Sequence, residues 1–596
     1  MAGRHLADRG RPTGRRVAST GVRMTRLRAI GLVTAALGAA VVVWVGLTLP
    51  ARPIALVLPA WANPRGAVRG VFHVHSRRSD GTGSIEDIAG AAARAGLDFV
   101  VLTDHGDGTR APDPPAYHTG VLCVDAVEIS TGTGHYAAVG MRPSPYPLGG
   151  EARDVVEDVR RLGGFGVATH PGSRKRELQW GAWEAPFDAI EWLNQDSEWR
   201  DESWLGMTRL LLSYPLRGPA AIAASFRRPD DVLSQWDAVT RSRPVVALAG
   251  ADAHARFAIE SRRDPYRGFS LPGFPSYESS FRVFALRVEL ERPFSGTAAE
   301  DMQLLLGALR AGHAYTALDA LAGPADFEFT ATSGTMKARG GDTLVPDGPV
   351  SLRARVNAPS DAMLVLLENG RPVARATGTE LTHTAAQGPG VFRVEVGLPG
   401  APGWPPVPWL VSNPIYLRGK VADELAAGPQ RAAATSIALL DLGRLSDWRI
   451  EREKRSEGRL ARAEPPNDRE CEMTFRLGPG APAGQFVALV RSLEPSSVAA
   501  FDRIGFRARS AAPMRLSIQL RAPGSRDGQR WQRSVYLDET PRNLTVSFDD
   551  MRPIGPTDSR RPDLRRADGL LFVVDTINAR GGTAGKVWLR DVALEK

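Results

Sequence analysis

The chain of 596 residues is too long for a single hydrophobic core, and its length predicts three or four domains. Hydrophobic residues make up 43% of it and charged residues 24%, as in ordinary globular proteins. The formal net charge is +9, but residues 1–28 carry eight Arg and one Asp and so account for +7 of it. The basic charge therefore forms an N-terminal tail, and the nearly neutral remainder argues against a basic groove for nucleic acid.

The segment after this tail, residues 29–49, reads AIGLVTAALGAAVVVWVGLTL and contains no charged residue. As a helix it would be about 31 Å long, enough to span a bilayer. The Arg-rich flank before it predicts a cytoplasmic N-terminus and an extracytoplasmic body. A cleaved signal peptide is the alternative, but its candidate cleavage site, AWA at residues 60–62, lies far beyond the apolar run. We therefore favour an uncleaved single-pass anchor in a bacterial cytoplasmic membrane.

Residues 63–322 alternate between apolar strands and amphipathic helices. VRGVFHVHS predicts a first strand, and SIEDIAGAAARAG predicts a helix that begins after Ser84 with acidic residues in its first turn. Further strands are predicted at LDFVVLTDH, VLCVDAVEIS, GHYAAVG, FGVATH, FDAIEWLN and PVVALAGADAH, with helices at EARDVVEDVRRLGG, WLGMTRLLL and PDDVLSQWDAVTRS. Buried strands that alternate with amphipathic helices indicate a parallel α/β domain of the barrel type.

The rest of the chain is rich in short strands. Residues 323–420 contain strands separated by Gly and Pro, which predict a β-sandwich of roughly 100 residues. Residues 421–435 are rich in Ala and read as a linker. Residues 436–596 contain a second series of strands, which predicts a β-jelly-roll. The two cysteines, Cys123 and Cys471, are far apart and suggest neither a disulfide framework nor a cysteine metal site.

Polar residues cluster at the ends of the predicted α/β strands. Residues two apart on a strand point to the same face, so His73 and His75 would project together and could share a cation if both are neutral. Carboxyl ends of parallel strands converge on one face of such a domain, where active sites form. The candidate metal ligands at these positions are His73, His75, Asp80, His105, Glu128, His135, His170, Asp252 and His254. His118 and His313 are read as loop residues rather than ligands.

Nine nitrogen and oxygen ligands are too many for one ion. Zinc usually takes four, and manganese or iron take up to six. A carboxylate such as Glu128 can bridge two ions, so the set predicts two or three divalent metal ions, Zn, Mn or Fe. Such a cluster activates a water and clamps the oxygens of a phosphoryl group during displacement.

Five short motifs resemble those of the polymerase and histidinol phosphatase (PHP) superfamily of metal-dependent phosphoesterases. HVHSRRSDG is similar to its first motif, LTDHGD to its second, ATHPG to its third and GADAHA to its fourth, and EIS followed by GHY matches the intervening Glu and His. The resemblance covers about residues 67–320 and implies a distorted seven-stranded β/α barrel that holds three metals.

The resemblance also implies which residues would share each ion. One ion would be held by His73, His75, Glu128 and Asp252. A second ion would be held by Glu128, His135 and His170, and a third by Asp80, His105 and His254. Asp104 would orient His105 or lie beyond the direct ligands. PHP barrels can carry a trailing β-sandwich that ends in a stretch like VSNPIYLRG, and the final domain resembles galactose-binding-like jelly-rolls of carbohydrate-binding modules in strand pattern alone.

Together these features predict a membrane-anchored, extracytoplasmic hydrolase of phosphate mono- or diesters that uses a metal-activated water. Arg77, Arg78, Arg174 and Arg256 flank the motifs, and one or two of them would grip a phosphate oxygen. The candidate catalytic residues are Asp104, Arg174 and Arg256. The expected substrate is a phosphorylated small molecule or an envelope glycan or lipid, and no dedicated nucleic-acid binding is expected.

Three alternatives stay open. An amidohydrolase also begins with His-x-His on a strand, but it commonly needs a carbamylated Lys, and Lys175 is the only Lys between His75 and Asp252. A non-catalytic envelope protein could bind glycans through the jelly-roll, although the complete ligand set argues against it. An extracellular nuclease or nucleotidase is disfavoured by the nearly neutral body.

Overall fold

A computed structural model describes residues 20–59, 61, 67–261, 264–385, 388–419, 435–464, 469–479, 484–495, 497–524 and 528–596. Most of the basic tail, the outer residues of the candidate cleavage site at 60–62 and nearly all of the predicted linker at 421–435 lie outside the described residues.

A long helix, α1 (Thr20–Thr48), contains the apolar segment. Its part Ala29–Thr48 is long and apolar enough to cross a membrane, and none of it is buried inside the protein. A two-residue strand, β1 (Ile54–Ala55), then pairs in parallel with residues 322–323. The segment that follows the helix is thereby tied to the body.

Seven strands close into a barrel. The strands of this region are β2 (Ala67–Val74), β3 (Phe99–Leu102), β4 (Ala116–His118), β5 (Val121–Thr131), β6 (Gly134–Val139), β7 (Phe165–Ala168), β8 (Ala189–Asn194) and β9 (Val246–Ala253). The barrel order is β2-β3-β5-β6-β7-β8-β9, and β9 closes it by pairing with β2. The helices of the same region are α2 (Ile85–Ala95), α3 (Ala152–Arg161), α4 (Gln195–Arg200), α5 (Trp204–Ala223) and α6 (Asp230–Thr240).

Helix α2 shows how closely the local sequence specifies an element. Ser84 caps its N-terminus in a capping box with Asp87, and Gly96 ends it in the left-handed conformation. Its buried face consists of Ile88 and three alanines, at helical spacing. The predicted helix start at Ser84 is confirmed.

Among the seven barrel strands, β6 departs from the predicted parallel arrangement, because it runs antiparallel to both β5 and β7. Only Gly132 and Thr133 separate β5 from β6. A parallel crossover needs a dozen or more residues, so this connection can only form a hairpin. The reversal brings the first residues of β6 to the barrel edge where β5 ends.

The barrel sheet continues beyond its closed part. The next elements are β10 (Arg256–Ser261), β11 (Asp264–Pro272), α7 (Tyr277–Phe281), β12 (Ala285–Glu289), α8 (Ala298–Ala311), β13 (Ala314–Ala317) and β14 (Ala322–Gly323). Strand β12 pairs with both β2 and β13, and β13 then pairs with residues 410–412. Residues on both sides of position 322 therefore belong to one sheet.

Two β-layers make up the region predicted as a sandwich. Its strands are β15 (Phe327–Ser333), β16 (Met336–Arg339), β17 (Thr343–Leu344), β18 (Val350–Val356), β19 (Met363–Glu368), β20 (Arg371–Thr377), β21 (Glu380–Ala385), β22 (Gly390–Gly397), β23 (Leu410–Ser412) and β24 (Ile415–Leu417). One layer has the order β16-β15-β18-β21, and the other strands extend the barrel sheet. Both layers share one hydrophobic core with the barrel.

Residues 435–596 form two six-stranded antiparallel sheets around a separate core. The strands are β25 (Ser436–Ala438), β26 (Trp448–Arg452), β27 (Glu457–Arg462), β28 (Cys471–Arg476), β29 (Phe486–Ser492), β30 (Arg503–Ser510), β31 (Met514–Ala522), β32 (Gln529–Leu537), β33 (Arg542–Ser547), β34 (Arg552–Ile554), β35 (Gly569–Asp575) and β36 (Ala584–Glu595). A specific jelly-roll connectivity stays a prediction. Cys123 and Cys471 are both buried and free.

The C-terminal domain docks on helix α3 of the barrel through buried ion pairs. The Arg515 Nε donates to Asp158 at 2.8 Å, and its Nη1 lies 3.1 Å from Asp154. Arg533 pairs with Asp154 and Glu157. We name these five residues the docking cluster.

Candidate metal centre

Nine side chains predicted as ligands come together at one end of the barrel. They form four overlapping groups in which the ligand atoms lie within 4.8 Å of one another: His75, Asp80, His105 and His254; His73, His75 and Glu128; His73, His170 and Asp252; and His105, Glu128 and His135. Each of the nine predicted ligands belongs to at least one group. Imidazole and carboxylate are donors that suit divalent Zn, Mn or Fe.

The tightest convergence involves four atoms. His73 Nε2 and His75 Nε2 are 3.1 Å apart, and each lies 3.3 Å from Glu128 Oε2 and 3.3 Å from Asp252 Oδ1. Donors that share one ion at bond lengths of about 2.0–2.1 Å lie about 3.0–3.4 Å apart. His73 Nε2 and His75 Nε2 therefore have the spacing of ligands of one ion, both with each other and with each of the two carboxylate oxygens.

Glu128 lies between two groups of imidazoles. Its Oε1 is 2.9 Å from His170 Nε2 and 3.2 Å from His135 Nδ1. Its Oε2 faces the convergence just described and also lies 3.3 Å from His105 Nδ1. His170 Nδ1 lies 2.7 Å from the carbonyl of Leu178, which only accepts, so Nδ1 carries the proton. Without an added proton or cation, the His170 Nε2 lone pair would face the Glu128 carboxylate.

A third group lies nearer to solvent. Asp80 Oδ2 is 3.2 Å from His254 Nε2, and Asp80 Oδ1 is 3.4 Å from His75 Nδ1 and 3.8 Å from His105 Nε2. The rings of His75 and His254 stack at 4.2 Å. His75 thus presents one ring nitrogen to this group and the other to the central convergence.

The backbone is strained at three of these residues. His73, His170 and Asp252 have φ values of 68°, 35° and 47°, in the left-handed region that side-chain-bearing residues rarely adopt. Each such residue costs about 1–3 kcal/mol and persists only where its surroundings enforce it. The register of β2 against β3 shifts between Val71 and Val74, so His73 lies in an irregularity. His73 and His75 do face one site, but regular strand alternation is not the reason.

A buried carboxylate that the sequence analysis missed holds His73 in place. Glu191, on β8, places Oε1 2.6 Å from His73 Nδ1 and accepts from the His170 backbone N–H through Oε2 at 2.7 Å. Asn194 donates to Glu191 at 2.9 Å and to Asp252 at 3.2 Å. An imidazole whose Nδ1–H is taken by a carboxylate presents the Nε2 lone pair to a metal. The only sequence signal was a charged residue inside the apolar strand AIEWLN.

Asp104 contacts the loop after β2. Its two carboxylate oxygens accept from the Ser76 N–H at 2.8 Å, the Ser76 hydroxyl at 2.7 Å and the Ser79 hydroxyl at 2.7 Å. The structure thus places Asp104 against the loop that carries Asp80, and these bonds do not involve the His105 ring. Such bonds fix the position of Asp80.

The carboxylates and imidazoles of the centre shift one another's proton affinity in opposite directions. Burial alone would lower the pKa of His73, but the charges of Asp252, Glu191 and Glu128 outweigh it and hold this pKa well above its ordinary value. Burial likewise opposes ionisation of Glu128, yet His73 and the other facing imidazoles hold the pKa of Glu128 well below its usual range. In the metal-free protein, protons on imidazoles thus take the place of cations.

Opposite pKa shifts are also found at His75 and Asp252, which meet His73 and Glu128 at the middle of the centre. Burial opposes protonation of His75, but its bonds with Asp252 and Glu128 raise the pKa of His75 to about 10. The pKa of Asp252 lies well below its ordinary value because His73 and His75 outweigh the effect of burial. His105 differs, since burial lowers its pKa.

A cavity of about 280 Å³ opens over the centre. Its wall includes seven of the nine candidate ligands: Asp80, His105, Glu128, His135, His170, Asp252 and His254. The other residues of the wall are Ser173, Lys175, Glu177, Leu178, Asp196, Ser197, Arg200, Asp201 and Arg256. Arg256 is in this wall, and its Nη1 lies 3.5 Å from the carbonyl of Asp80. Arg200, on α4, also lines the cavity and was not singled out from the sequence. Lys175 contributes to the wall as well.

Three other flanking arginines lie elsewhere. The Arg174 side chain is 64% exposed and donates to the Asp201 carbonyl at 3.0 Å, outside the residues that line the cavity. Arg77 pairs with Asp87 on the surface, and Arg78 pairs with Asp113. The sequence could not separate these from Arg256, since all lie close to a motif in the chain.

The two histidines read as loop residues are both outside the centre, but the loop prediction is wrong for His118, which ends a strand. His313 Nε2 lies 2.8 Å from Asp342. His118 is on β4, 4.0 Å from Glu86.

No protein-family model and no curated protein matches the chain. Among solved structures, a two-domain protein from Bacteroides vulgatus containing a predicted PHP-like metal-dependent phosphoesterase is 14% identical, with a TM-score of 0.29, over 58% of this chain and 94% of that one. The family 11 carbohydrate-binding module of a Clostridium thermocellum cellulase is 18% identical, with a TM-score of 0.24, over 28% of this chain and 96% of that one.

A family 30 carbohydrate-binding module is similar at 10% identity and a TM-score of 0.18, over 23% of this chain and 73% of that one. The chain is thus similar, at low scores, to a PHP-like protein and to β-rich carbohydrate-binding modules. Scores of this size carry no argument about function, which has to come from the centre itself.

Proposed function

We propose that the chain is a membrane-anchored, extracytoplasmic phosphoesterase that hydrolyses phosphate mono- or diesters with two or three divalent ions. One observation carries this proposal: Glu128 is a fully buried carboxylate, and imidazole nitrogens lie close to both of its oxygens. A carboxylate in this position is suited to bridge two cations. Bound divalent ions supply Lewis acidity that activates water and neutralises charge on phosphoryl oxygens.

The chain's own residues would divide into ligands and supports. The nine side chains of the four groups would hold the ions, with Glu128 shared between two of them. Glu191 and Asn194 would fix the ring of His73 and the carboxylate of Asp252, and Asp104 would fix the Asp80 loop. The left-handed backbone at His73 and Asp252 favours a functional role, because strained residues concentrate at active sites.

Substrate binding would involve the cations of the cavity wall. Arg256 and Arg200 are the arginines that line the cavity among the described residues, and a guanidinium can donate two parallel hydrogen bonds to a phosphate. Of the two arginines predicted as catalytic, Arg256 is therefore a stronger candidate for a phosphate-binding residue than Arg174. The acidic residues Glu177, Asp196 and Asp201 on the same wall would disfavour a bare polyanion and favour a substrate that also presents donors.

The experiment is a hydrolysis and metal assay on the purified full-length protein in detergent. p-Nitrophenyl phosphate tests for a monoesterase and bis-p-nitrophenyl phosphate for a diesterase. A carboxylic amide tests the amidohydrolase alternative. We expect turnover of a phosphate ester together with more than one transition-metal ion per chain.

The matching variant changes His73 and His75 to Ala, and the control changes His313 to Ala, since His313 pairs with Asp342 outside the centre. We expect the double variant to lose activity and at least one ion while its circular dichroism is unchanged, and the control to keep both. An active protein free of transition metal, or activity that survives the double change, would refute the proposal.

The membrane topology has its own test. Intact spheroplasts that contain the full chain are treated with protease, and we expect residues beyond the helix α1 to be digested. Protection of the body in intact spheroplasts would contradict an extracytoplasmic location.

A further inference from the structure

Helix α5 presents an unusual surface for a helix on the outside of a protein. One face packs on the barrel core through Met207, Leu210 and Tyr214. Its exposed positions follow helical spacing and form a stripe, which we name the α5 stripe: Trp204, Leu205, Thr208, Leu211, Leu212, Pro215 and Leu216. The stripe contains no charged residue, and the hydroxyl of Thr208 already donates to the Trp204 carbonyl at 2.8 Å.

The exposed area of this stripe is large. Trp204 is 83% exposed, Leu205 70% and Leu216 65%. Soluble proteins rarely leave a contiguous apolar surface of this kind without a partner, and such surfaces mark protein or membrane contacts.

The position of α5 indicates which partner. The outer end of α1, the helix able to span a membrane, contacts α5 directly. Arg209 donates to the Thr48 carbonyl at 2.8 Å, and Arg217 donates to the carbonyl of Pro50. Trp44, Val45 and Thr48 are half-buried, whereas the other residues from 29 to 47 are exposed. A bilayer around α1 would therefore end beside the stripe.

A second exposed tryptophan lies in a loop near the same place. Trp404 is 95% exposed, and the residues just before it, 398–402, line a cavity together with residues 50–52, Ile54 and Arg209. Tryptophan concentrates at the boundary between lipid and water, where its apolar ring and its N–H group are both accommodated. An apolar helix face with Trp at its end is typical of a helix that lies in the membrane interface.

Part of the wall of the cavity over the metal centre lies just before this surface in the chain. Ser197, Arg200 and Asp201 line the cavity, and the chain reaches Trp204 three residues later. Leu178 is the only aliphatic side chain among the described residues of the cavity wall. A cavity of about 280 Å³ whose described lining residues are polar or charged, apart from Leu178, can take a phosphorylated headgroup.

From these observations we infer that the α5 stripe lies in the lipid interface and holds the cavity mouth at the bilayer surface, so that the substrates are phosphate esters carried on the headgroups of membrane amphiphiles. The contact between the α5 stripe and the membrane is inferred from the stripe and from α1 alone. The substrate class also rests on the proposed phosphoesterase function. A headgroup would enter the cavity while its apolar part stays in the membrane.

Lipid contact is tested by spin labels on the full-length protein in phosphatidylcholine and phosphatidylglycerol vesicles. Cys123 and Cys471 are buried, so a label goes to an introduced cysteine. Leu205→Cys and Leu212→Cys probe the stripe, and Glu457→Cys on the C-terminal domain is the control, since Glu457 is 78% exposed. We expect the stripe labels to collide more with oxygen than with a water-soluble nickel chelate, and the control to show the reverse.

Two results would overturn the inferred contact between the α5 stripe and the membrane. Nickel access at 205 and 212 equal to that at 457 would place the stripe in water. Exclusion of both reagents that depends on protein density in the vesicles would show that a second copy of the chain covers the stripe.

The substrate class is tested by comparing a membrane ester with a soluble one. The double variant Leu205→Asp with Leu212→Asp is assayed on phosphatidic acid in phosphatidylcholine vesicles and on p-nitrophenyl phosphate, or on phosphatidylglycerol vesicles and bis-p-nitrophenyl phosphate if the enzyme is a diesterase. We expect the ratio of vesicle to soluble turnover to fall about tenfold or more, because two buried apolar contacts are lost. Val373→Asp, an exposed apolar position on β20, is the control and should leave the ratio unchanged.

The outcomes separate the two proposals. An unchanged ratio in the double variant overturns the inference. Wild-type turnover of the soluble ester but not of the vesicle ester overturns the substrate class and leaves the phosphoesterase in place. No turnover of either ester refutes the proposed function together with the substrate class, and the spin labels still decide the docking.

Discussion

The metal centre and the docking cluster both bury carboxylates in the same molecule, but different side chains face those carboxylates. In the docking cluster, Asp154 and Asp158 face Arg515, whose side chain is only 2% exposed and which keeps its charge at any physiological pH. In the metal centre, Glu128 and Asp252 face imidazoles, which are cationic only when protonated. The first cluster is neutralised by the chain itself, whereas the second needs protons or metal ions.

This difference explains why one group of buried acids is a candidate metal centre and the other is not. An Arg guanidinium occupies the space between the carboxylates and offers donors only. An imidazole offers a lone pair once its other nitrogen is hydrogen-bonded, as His73 and His170 are. Burial of acidic side chains alone is therefore a poor indicator of a metal site. The side chains that face the acids determine whether a metal ion can bind there.

The largest effect is expected at Glu128. Glu128→Gln keeps nearly the same size but removes the charge shared by both groups of imidazoles, so two cations would repel each other more strongly. We expect activity to fall by about a thousandfold or more, with loss of metal. Activity and elemental analysis are measured side by side.

Two variants sharpen this result. Asp158→Asn, in the docking cluster, should keep all of the metal. Asp104→Asn should keep most of it, with activity about 10–100-fold lower, since Asp104 acts through the Ser76 and Ser79 loop. If Glu128→Gln kept full metal while Asp104→Asn lost it, the ligand assignment would have to be abandoned.

A large effect of another kind is expected at Arg515. Arg515→Met leaves Asp154 and Asp158 buried without their cation, and breaking one side of a buried pair costs about 3–5 kcal/mol. We expect a lower midpoint in calorimetric unfolding of the full-length protein and an unchanged metal content. Arg476→Met, at a surface position with 60% exposure, should leave both unchanged. Metal loss in the Arg515 variant would show that the two clusters are coupled.

A smaller effect is expected at Glu191. Glu191→Gln puts an amide where one carboxylate serves both the His73 ring and the His170 backbone N–H, so one of the two bonds is lost. We expect about 10–100-fold weaker metal binding in competition with a chelator. Glu289→Gln, in a strand outside the centre, is the control. Equal affinity in both variants would contradict the role given to Glu191.

The smallest and most gradual effect is that of pH on metal binding. The metal-free protein holds protons at neutral pH that bound metal must displace, since the pKa of His75 is raised to about 10. Lower pH therefore favours the metal-free form, and affinity should fall about tenfold per pH unit for each proton released. Calorimetric titration with zinc in buffers of different ionisation enthalpy measures the number of protons released on zinc binding.

The docking cluster provides the contrast for this titration. Its arginines stay charged, so the unfolding midpoint of the C-terminal domain should change little between pH 6 and pH 8. Zinc binding without proton release would contradict the protonated metal-free centre.

Much of the centre was readable from the sequence because its members are marked locally. Each of the nine candidates lies near the end of a strand, in the loop after it or at the start of the next strand, and a polar residue near the end of an apolar run is visible within a short window. The same holds for α2, where Ser84, Asp87 and Gly96 specify both ends of the helix. The length and lack of charge of residues 29–48 are equally local properties.

What the sequence could not supply depends on residues far apart in the chain. Glu191 reaches His73 across 118 positions and Arg515 reaches Asp158 across 357, and neither pairing leaves a mark in the local pattern. Arg174 and Arg256 look alike beside their motifs, and only the path of the chain puts one in the cavity wall and the other outside it.

The sequence by itself determined the apolar helix, the individual strands and helices of the barrel and the chemical nature of the candidate ligands, because propensity, periodicity and capping act over a few residues. The tertiary structure decided the left-handed backbone at His73, the continuous sheet across residue 322 and the position of the α5 stripe beside the end of α1. These features are set by strand pairing and packing between distant segments, whose free energy depends on the whole fold.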